Sequence, residues 1–190
     1  MSNGFFKKAT AATFAWLSLS GVGHADENGA CTTATLRGTY GVKVHAQSLG
    51  ILTGTPPSQT LHRYIPPNDI DAVALATFYG NGTGTQEDFA MINGAVRPGS
   101  PSDSFVPDEM LSYTVNANCT GELSITFPTG VTLTQQMVIV DNGNEMFGVS
   151  SAQHVPGGPP AHDGTLCNTG CDIAIQGSAQ FVKVRQSREH

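Results

Sequence analysis

Apolar and polar side chains alternate over most of the chain beyond residue 35. In the first such stretch, Tyr40, Val42 and Val44 share one face while Thr39 and Lys43 lie on the other. A period of two residues is typical of a half-buried β-strand. Eight such stretches are present, at residues 36–45, 70–79, 83–91, 110–116, 121–127, 131–140, 145–154 and 172–185. No stretch of helical period and useful length follows residue 25, so the pattern predicts an all-β fold.

Eight antiparallel strands joined in chain order predict an up-and-down barrel. Closure into a barrel removes the unpaired edges that an open sheet would expose. Strands of about ten residues also suit a tilted eight-stranded barrel. A two-sheet sandwich stays open as an alternative at this point, because alternation does not report whether a sheet closes.

The connections predict two unlike ends of the barrel. In an up-and-down arrangement, successive connections alternate between the ends. One end, here called the floor, has tight turns at residues 80–82, 117–120 and 141–144. The opposite end, here called the mouth, has three long segments and one short turn, at residues 48–69, 92–109, 155–171 and 128–130. Long loops without secondary structure tend to be functional or disordered, so we predict an eight-stranded barrel with three long loops at one end.

The first 25 residues have the features of a secretory signal peptide. Lys7 and Lys8 precede an apolar run over residues 9–22, and the small residues Gly23 and Ala25 precede the expected cleavage point. A basic start, a short apolar middle and a small-x-small exit define such a segment. The chain is therefore expected to be exported, to the periplasm or the extracellular space.

The remaining residues, 26–190, are predicted to form a single β-barrel domain. Cleavage removes two lysines and no acidic residue, which changes the formal net charge from -6 to -8. An acidic protein is poorly suited to bind nucleic acid or an anionic lipid surface. Neither partner is expected, and the sequence leaves the oligomeric state open.

The four cysteines are predicted to form two disulfides rather than a metal site, because export exposes them to an oxidising compartment. Four cysteines allow three pairings. Cys31 enters the first strand at the floor and Cys119 lies in a floor turn, whereas Cys167 and Cys171 lie together in a mouth segment. This placement predicts the pairs Cys31–Cys119 and Cys167–Cys171.

Three short motifs combine turn glycines, aromatic residues and a cysteine. The motifs are residues 38–41 (GTYG), 78–82 (FYGNG) and 113–121 (YTVNANCTG). Cys31 and Leu36 precede the first of them. These motifs resemble those of a family of small secreted bacterial proteins, most of them uncharacterised. The resemblance covers most of the mature chain and implies a calycin-like barrel, akin to the allene oxide cyclase barrel. It carries over no catalytic residue of the plant cyclases, because the shared positions are structural.

Glu87 is the first candidate for chemistry. It shares a strand face with Phe89 and Met91, and this apolar face is the one expected to point into the barrel. A carboxyl group in an apolar lumen has a raised pKa and can act as an acid or a base. A strand shifted by one residue would instead place Asp88 inside and leave Glu87 in solvent.

Further candidates lie on the apolar faces of other strands. Tyr40 and Tyr113 each add a polar tip to such a face, and are candidates for binding a ligand or, with Glu87, for catalysis. Phe89, Gln135 and Met137 complete the predicted ligand-binding set. A few polar groups in an apolar cavity are how small-molecule pockets orient a ligand, but a buried tyrosine also packs well without one.

Several ionisable side chains and one tyrosine belong to the mouth segments. We expect these residues to form a solvated loop surface rather than a metal site, because their spacing matches no metal-ligand motif. They are His62, Arg63, Tyr64, Arg97, Asp103, Asp108, His154, His162 and Asp163.

Three functions are compatible with these features. The favoured one is an exported barrel that holds a small, fairly apolar molecule in its lumen. The second is a cofactor-free cyclase, isomerase or lyase on the same barrel, since no motif for a nucleophile, metal, phosphate or dinucleotide is present. The third, an outer-membrane barrel, is disfavoured because few aromatic residues are available for interfacial girdles and the outward faces include Arg37 and Lys43.

Overall fold

The computed structural model describes residues 30–184, and the predicted signal segment lies outside them. Nine β-strands account for most of these residues. Their bounds are β1 Arg37–Thr53, β2 Thr60–Tyr79, β3 Thr83–Ile92, β4 Ala95–Val96, β5 Val106–Val115, β6 Thr120–Thr126, β7 Thr132–Val140, β8 Glu145–Val155 and β9 Cys171–Lys183. Two single 3-10 turns lie at Thr33–Thr35 and Asp141–Gly143.

Eight of these strands close into an antiparallel barrel. The strands are hydrogen-bonded in the order β2, β1, β9, β8, β7, β6, β5 and β3, and pairing of β2 with β3 completes the ring. The ninth strand, β4, is a two-residue hairpin partner of β3 at the mouth. The predicted all-β, eight-stranded barrel is confirmed, and the sandwich is excluded because every long strand has two neighbours.

The segment 48–69 is not the long loop that the sequence predicts. Both β1 and β2 continue through it and pair as far as Thr53 with Thr60, so only residues 54–59 form a turn. The pairing slips between Ser48 and Gly50, which leaves residues 64–67 outside the ladder. Pro66 and Pro67 fall in this irregular stretch, so their missing N–H groups break no ladder bond.

Gly50 makes the irregularity possible. Its φ is +151°, and a Cβ atom at this position would lie 2.1 Å from the carbonyl oxygen of His62. Only glycine allows the two backbones to approach so closely. The bulge turns Tyr64 towards the barrel interior, where it is buried.

Large side chains fill the lower half of the barrel. Tyr40, Phe78, Tyr113 and Phe181 are buried there, and their rings meet edge-to-face with centroids 5.1–6.3 Å apart. Aromatic pairs at such distances stabilise a core beyond simple area burial. The floor is therefore solid, and open space in the barrel is confined to the half nearer the mouth.

Both predicted disulfides are confirmed. Cys31–Cys119 joins the segment before β1 to the β5–β6 turn at the floor, where the N–H of Cys31 also donates to the carbonyl of Ala117. Cys167–Cys171 closes the end of the mouth loop 156–170. Each pair joins cysteines from one end of the barrel, because alternating connections keep the floor and the mouth separate.

Candidate ligand-binding cavity

The upper half of the barrel encloses a cavity of about 500 Å³. Its existence follows from small residues at adjacent inward positions of three strands. Val44 on β1 pairs with Ala72 on β2, which in turn pairs with Ala90 on β3. Large side chains fill the equivalent layer at the floor, whereas these short ones leave the space unfilled.

The wall of the cavity is mainly apolar, and loops form its rim. Ile125, Phe127 and Ile173 add larger apolar surfaces to those of β1 to β3. At the mouth, residues 98–100 and 156–159 border the opening. A cavity of several hundred Å³ with an apolar wall and a few polar groups is typical of small-molecule sites.

An ion pair lies on one side of the cavity, between β3 and the loop after β4. The Nη1 and Nη2 atoms of Arg97 donate to the two carboxylate oxygens of Asp88, at 2.8 and 2.6 Å. The Nε atom of Arg97 donates to Ser100 Oγ at 3.1 Å, and its guanidinium lies 5.4 Å from the ring centre of Phe127. Such a bidentate, stacked arrangement holds Arg97 in one orientation.

Behind this ion pair lies Glu109, which is fully buried. Its Oε2 accepts a hydrogen bond of 2.7 Å from Gln86 Nε2, and its Oε1 lies 3.7 Å from Arg97 Nη2. Burial raises the pKa of Glu109 to about 8, the neighbouring Asp88 adds to the rise, and Gln86 and Arg97 oppose it. Glu109 therefore holds its proton at neutral pH.

Amide side chains lie on the other side of the cavity. Gln135 on β7 and Gln153 on β8 both line it, and the Oε1 atom of each is buried without a hydrogen-bond partner in residues 30–184. Gln86 Oε1 is likewise unpartnered. Leaving a buried acceptor unsatisfied costs about 1–3 kcal/mol. These oxygens have almost no surface open to the cavity, so they lie within its wall rather than facing a bound molecule.

The structure brings Gln135, alone among the predicted site residues, to the cavity wall. Met137 points inward but is buried in the core below. Tyr40 donates its hydroxyl proton to the carbonyl of Gly143 in the floor. The Tyr113 hydroxyl accepts from Gly80 N–H at 3.0 Å and lies 3.0 Å from the carbonyl oxygen of Leu36.

These contacts give the two tyrosines a structural role. Their hydroxyls hold turns and the N-terminal segment against the floor, away from the cavity lining. Burial, aided by Tyr113, raises the pKa of Tyr40 to about 12. Neither position supports the catalytic role that the sequence suggests for it.

The prediction that Glu87 and Phe89 face the lumen is wrong. Glu87 is exposed, and Phe89 lies on the outer face, where its ring packs 6.3 Å from that of Phe105. Gln86 and Asp88 point inward instead. The apolar face of β3 predicts the wrong orientation because a mouth loop covers this face from outside. The polar face points inward, where Gln86 contacts Glu109 and Asp88 contacts Arg97.

Six polar residues at or behind the cavity are not among the ligand-binding residues that the sequence predicts: Tyr64, Gln86, Asp88, Arg97, Glu109 and Gln153. The shifted register selects Asp88 only as an alternative, while the sequence predicts that Tyr64 and Arg97 belong to the solvated mouth surface. Glu109 was not singled out at all. Its only available signal is the inward parity of β5, where it precedes the buried Leu111 and Tyr113 by two and four residues.

A second polar cluster anchors the mouth loop 156–170 outside the cavity. His62 Nδ1 lies 2.7 Å from Asp163 Oδ2, and His62 Nε2 lies 2.9 Å from Thr53 Oγ1. Hydrogen bonds from His62 and from the N–H of Thr165 lower the pKa of Asp163 to about 2. The carboxylate therefore stays charged at neutral pH and ties the loop to the β1–β2 hairpin.

Two further observations bear on ions and membranes. Within residues 30–184, no three histidine, cysteine or acidic side chains gather in a way that could hold a metal ion. The same part of the chain contains no helix long and apolar enough to span a membrane.

The buried carboxyl of Glu109 predicts that the protein loses stability as pH rises. An unfolded glutamate titrates near pH 4.5 and the native one near pH 8. Between these values the unfolded chain binds fewer protons, so the free energy of unfolding falls with pH and levels off above about 8. Glu109→Gln mimics the protonated form and does not ionise. We expect it to reduce the change in the unfolding equilibrium constant between pH 5 and pH 8 by more than tenfold.

Urea denaturation of both proteins at pH 5 and pH 8 measures this effect. Glu122→Gln is the matched control, because Glu122 is exposed and accepts from the Gln136 amide on the outer surface. A pH dependence that is the same in the wild type and Glu109→Gln contradicts the assignment of a protonated Glu109.

Comparison with known proteins identifies no family. No family model matches the chain. No curated protein matches it either. Among solved structures, the S-type phycobiliprotein lyase CPES from Guillardia theta is similar over 82% of this chain and 92% of that chain, with a TM-score of 0.40 and 4% sequence identity. The assignment of the fold therefore rests on the closed sheet described above.

Proposed function

We propose that this protein is an exported barrel that holds a small, largely apolar molecule in its lumen. The observation that carries the proposal is the cavity of about 500 Å³ whose wall combines short apolar side chains with a few polar ones. Protein interiors normally pack densely, and voids larger than a water molecule are few. A cavity of this size is therefore costly unless it is used.

Two features support a ligand rather than water as the intended occupant. The wall around Ala72, Ala90 and Phe127 offers water few partners, and apolar cavities are poorly hydrated. Polar side chains are a minority of the lining: they include Gln86 and Asp88 on β3, Gln135 and Gln153 on β7 and β8, and Ser48 and Asn68 on β1 and β2. This distribution suits a molecule with an apolar body and one or two polar groups.

The proposal includes export to the periplasm or the extracellular space, and membership of the small secreted family that the motifs resemble. Two disulfides and the absence of a free cysteine among the described residues support an oxidising location. Detection of the N-terminus of the mature protein by mass spectrometry tests the expected cleavage after Ala25.

Filling the cavity is expected to abolish binding of a neutral apolar dye. Ala72→Trp places an indole into the space between Val44 and Ala90, so we expect the affinity for N-phenyl-1-naphthylamine to fall more than tenfold. Fluorescence titration measures the affinity. Val73→Trp is the control, because Val73 is the next residue on the same strand and is 48% exposed on the outer face.

Circular dichroism of both variants establishes that each is folded before the titrations are compared. Equal loss of dye binding in the two variants contradicts a luminal site. Undiminished binding in Ala72→Trp also contradicts it, because the dye then occupies a different surface.

A second candidate function is a cofactor-free cyclase, isomerase or lyase on the same scaffold. The observation that favours it is the protonated Glu109, which lies beside Asp88. The carboxylate of Asp88 borders the cavity. A carboxyl group with a pKa near neutrality is well matched to proton transfer. Mass spectrometry of small molecules incubated with the protein separates the functions: a carrier returns its ligand unchanged, whereas an enzyme yields a product whose formation requires Glu109.

A further inference from the structure

We propose that the cavity binds an elongated amphiphile, with its apolar end against Phe181 and its polar end beside Ser48 and Asn68, and that the depth of the cavity limits the length of the ligand. This inference rests on the proposed function and names the ligand class and its orientation for that same cavity. Its basis is the order of the residues that line the wall between the floor side and the mouth.

The part of the wall formed by β1 and β2 consists of four layers of paired residues. From the floor side to the mouth, the pairs are Val42 with Ala74, Val44 with Ala72, Ala46 with Ile70, and Ser48 with Asn68. The first three layers are apolar, whereas the fourth consists of a hydroxyl and an amide. The polarity of this wall therefore changes at the end nearer the mouth.

The lower end of the cavity is apolar and closed by the core. Val42, Ala74, Ile125 and Phe181 belong both to the cavity lining and to the buried core of the barrel. Phe181 on β9 is paired with Val42 and is 1% exposed. Since a polar group buried among such side chains loses its hydrogen bonds to water, the apolar end of a ligand is the end that fits here.

Polar side chains elsewhere on the wall do not alter this preference. Gln86 donates to Glu109, and Asp88 accepts from Arg97, so both side chains are engaged within the protein. The Oε1 atom of Gln135 is enclosed in the wall. A chain that lies along β1 and β2 therefore meets apolar surface over the three lower layers.

The depth of the cavity gives an expected chain length. The four layers cover residues 42–48 of β1, which corresponds to about 20 Å along the strand and to about 15 Å along the axis of a barrel whose strands are tilted by roughly 40°. Because a C–C bond of about 1.5 Å advances an extended chain by about 1.25 Å per carbon, a chain of about twelve carbons reaches from the fourth layer to the closed end.

A series of unbranched 1-alkanols from 1-hexanol to 1-tetradecanol, in steps of two carbons, tests the inference. The compounds share one small neutral polar group and differ only in length. Each is used below its solubility limit to displace N-phenyl-1-naphthylamine from the wild-type protein. We expect the affinity to rise about fifteenfold per step up to 1-dodecanol, because each buried methylene contributes roughly fourfold. From 1-dodecanol to 1-tetradecanol we expect a rise of less than threefold, because the added carbons find no further apolar surface.

Ala74→Leu tests the orientation of the ligand. The substitution places an isobutyl group in the lowest layer and so shortens the cavity at its closed end. We expect the affinity for 1-dodecanol to fall at least tenfold and that for 1-octanol to change less than twofold, since the shorter chain ends above this layer. A ligand bound with its hydroxyl at the closed end would instead lose the same factor at every length.

Val73→Leu is the matched control for Ala74→Leu. It introduces the same residue at the neighbouring position of β2, where the side chain is 48% exposed on the outer face. We expect this variant to bind every alkanol as the wild type does.

The outcomes separate the two proposals. If the dye does not bind the wild type, the proposed function is overturned first. If the dye binds but the alkanols do not displace it, or if the affinity rises equally through 1-tetradecanol or stops rising before 1-decanol, the inference is overturned and the proposed function stands. Equal losses for 1-octanol and 1-dodecanol in Ala74→Leu also overturn it. The wild-type series needs no variant, so it decides the inference even when Ala74→Leu does not fold.

Discussion

Replacing Cys31 and Cys119 together by serine is expected to destabilise the barrel by about 4–5 kcal/mol. The disulfide spans 88 residues of sequence, and it removes more freedom from the unfolded chain as the closed loop lengthens. In the native state, the N–H of Cys31 still donates to Ala117 after the substitution. The loss therefore comes mainly from the unfolded chain. Urea denaturation followed by circular dichroism measures it.

The second disulfide provides an internal control. Cys167 and Cys171 are only four residues apart, so the same chain-entropy model predicts a loss of about 2 kcal/mol for the double serine variant. Equal losses in the two double variants would contradict the entropic explanation. They would indicate instead that local native contacts dominate at both sites.

Replacing Arg97 by alanine is expected to destabilise the protein by about 3 kcal/mol, near the lower end of the range for breaking a buried ion pair. The substitution leaves Asp88 buried without its two charge-assisted hydrogen bonds, and also removes the contact with Phe127. The value is at the lower end because water can enter through the mouth and partly solvate the carboxylate.

Two comparisons isolate the cause of this loss. The double variant Asp88→Leu with Arg97→Met removes both charges, and we expect it to recover most of the stability because an apolar pair of similar volume replaces the ions. By contrast, His45→Ala breaks an exposed pair with Asp71 and is expected to cost less than about 1 kcal/mol. If the double variant is as unstable as Arg97→Ala, lost packing rather than an unpaired charge explains the effect.

The strand pattern predicted most of the barrel but failed where the chain is irregular. Residues 48–69 contain two glycines and two pairs of adjacent prolines, which favour a loop in any local assessment. The structure keeps most of the segment in β1 and β2, because the slip at Gly50 removes Pro66 and Pro67 from the ladder and Pro56 and Pro57 lie in the turn. Such a bulge depends on the register of two strands, and neither strand specifies it alone.

The polar groups of the cavity show a different limit. Hydrophobicity favours the face of β3 that includes Phe89, yet this face is covered from outside by Phe105. Asp88 is tolerated inside because Arg97, nine residues later, folds over the rim to pair with it. A rule that places apolar residues inside cannot anticipate a buried polar residue whose partner comes from a loop.

Local alternation and the parity of the connections were enough to predict the eight barrel strands, their antiparallel order and both cysteine pairs, whereas the structure decided that the sheet closes. These properties follow from the two-residue repeat of a strand and from the order of the connections, and both can be read along the sequence. The tertiary structure alone decided which face of β3 looks inward, where the cavity lies and that Asp88, Arg97 and Glu109 meet. These outcomes arise from contacts between strands and loops distant in sequence, where side-chain size and charge balance determine the lowest free energy.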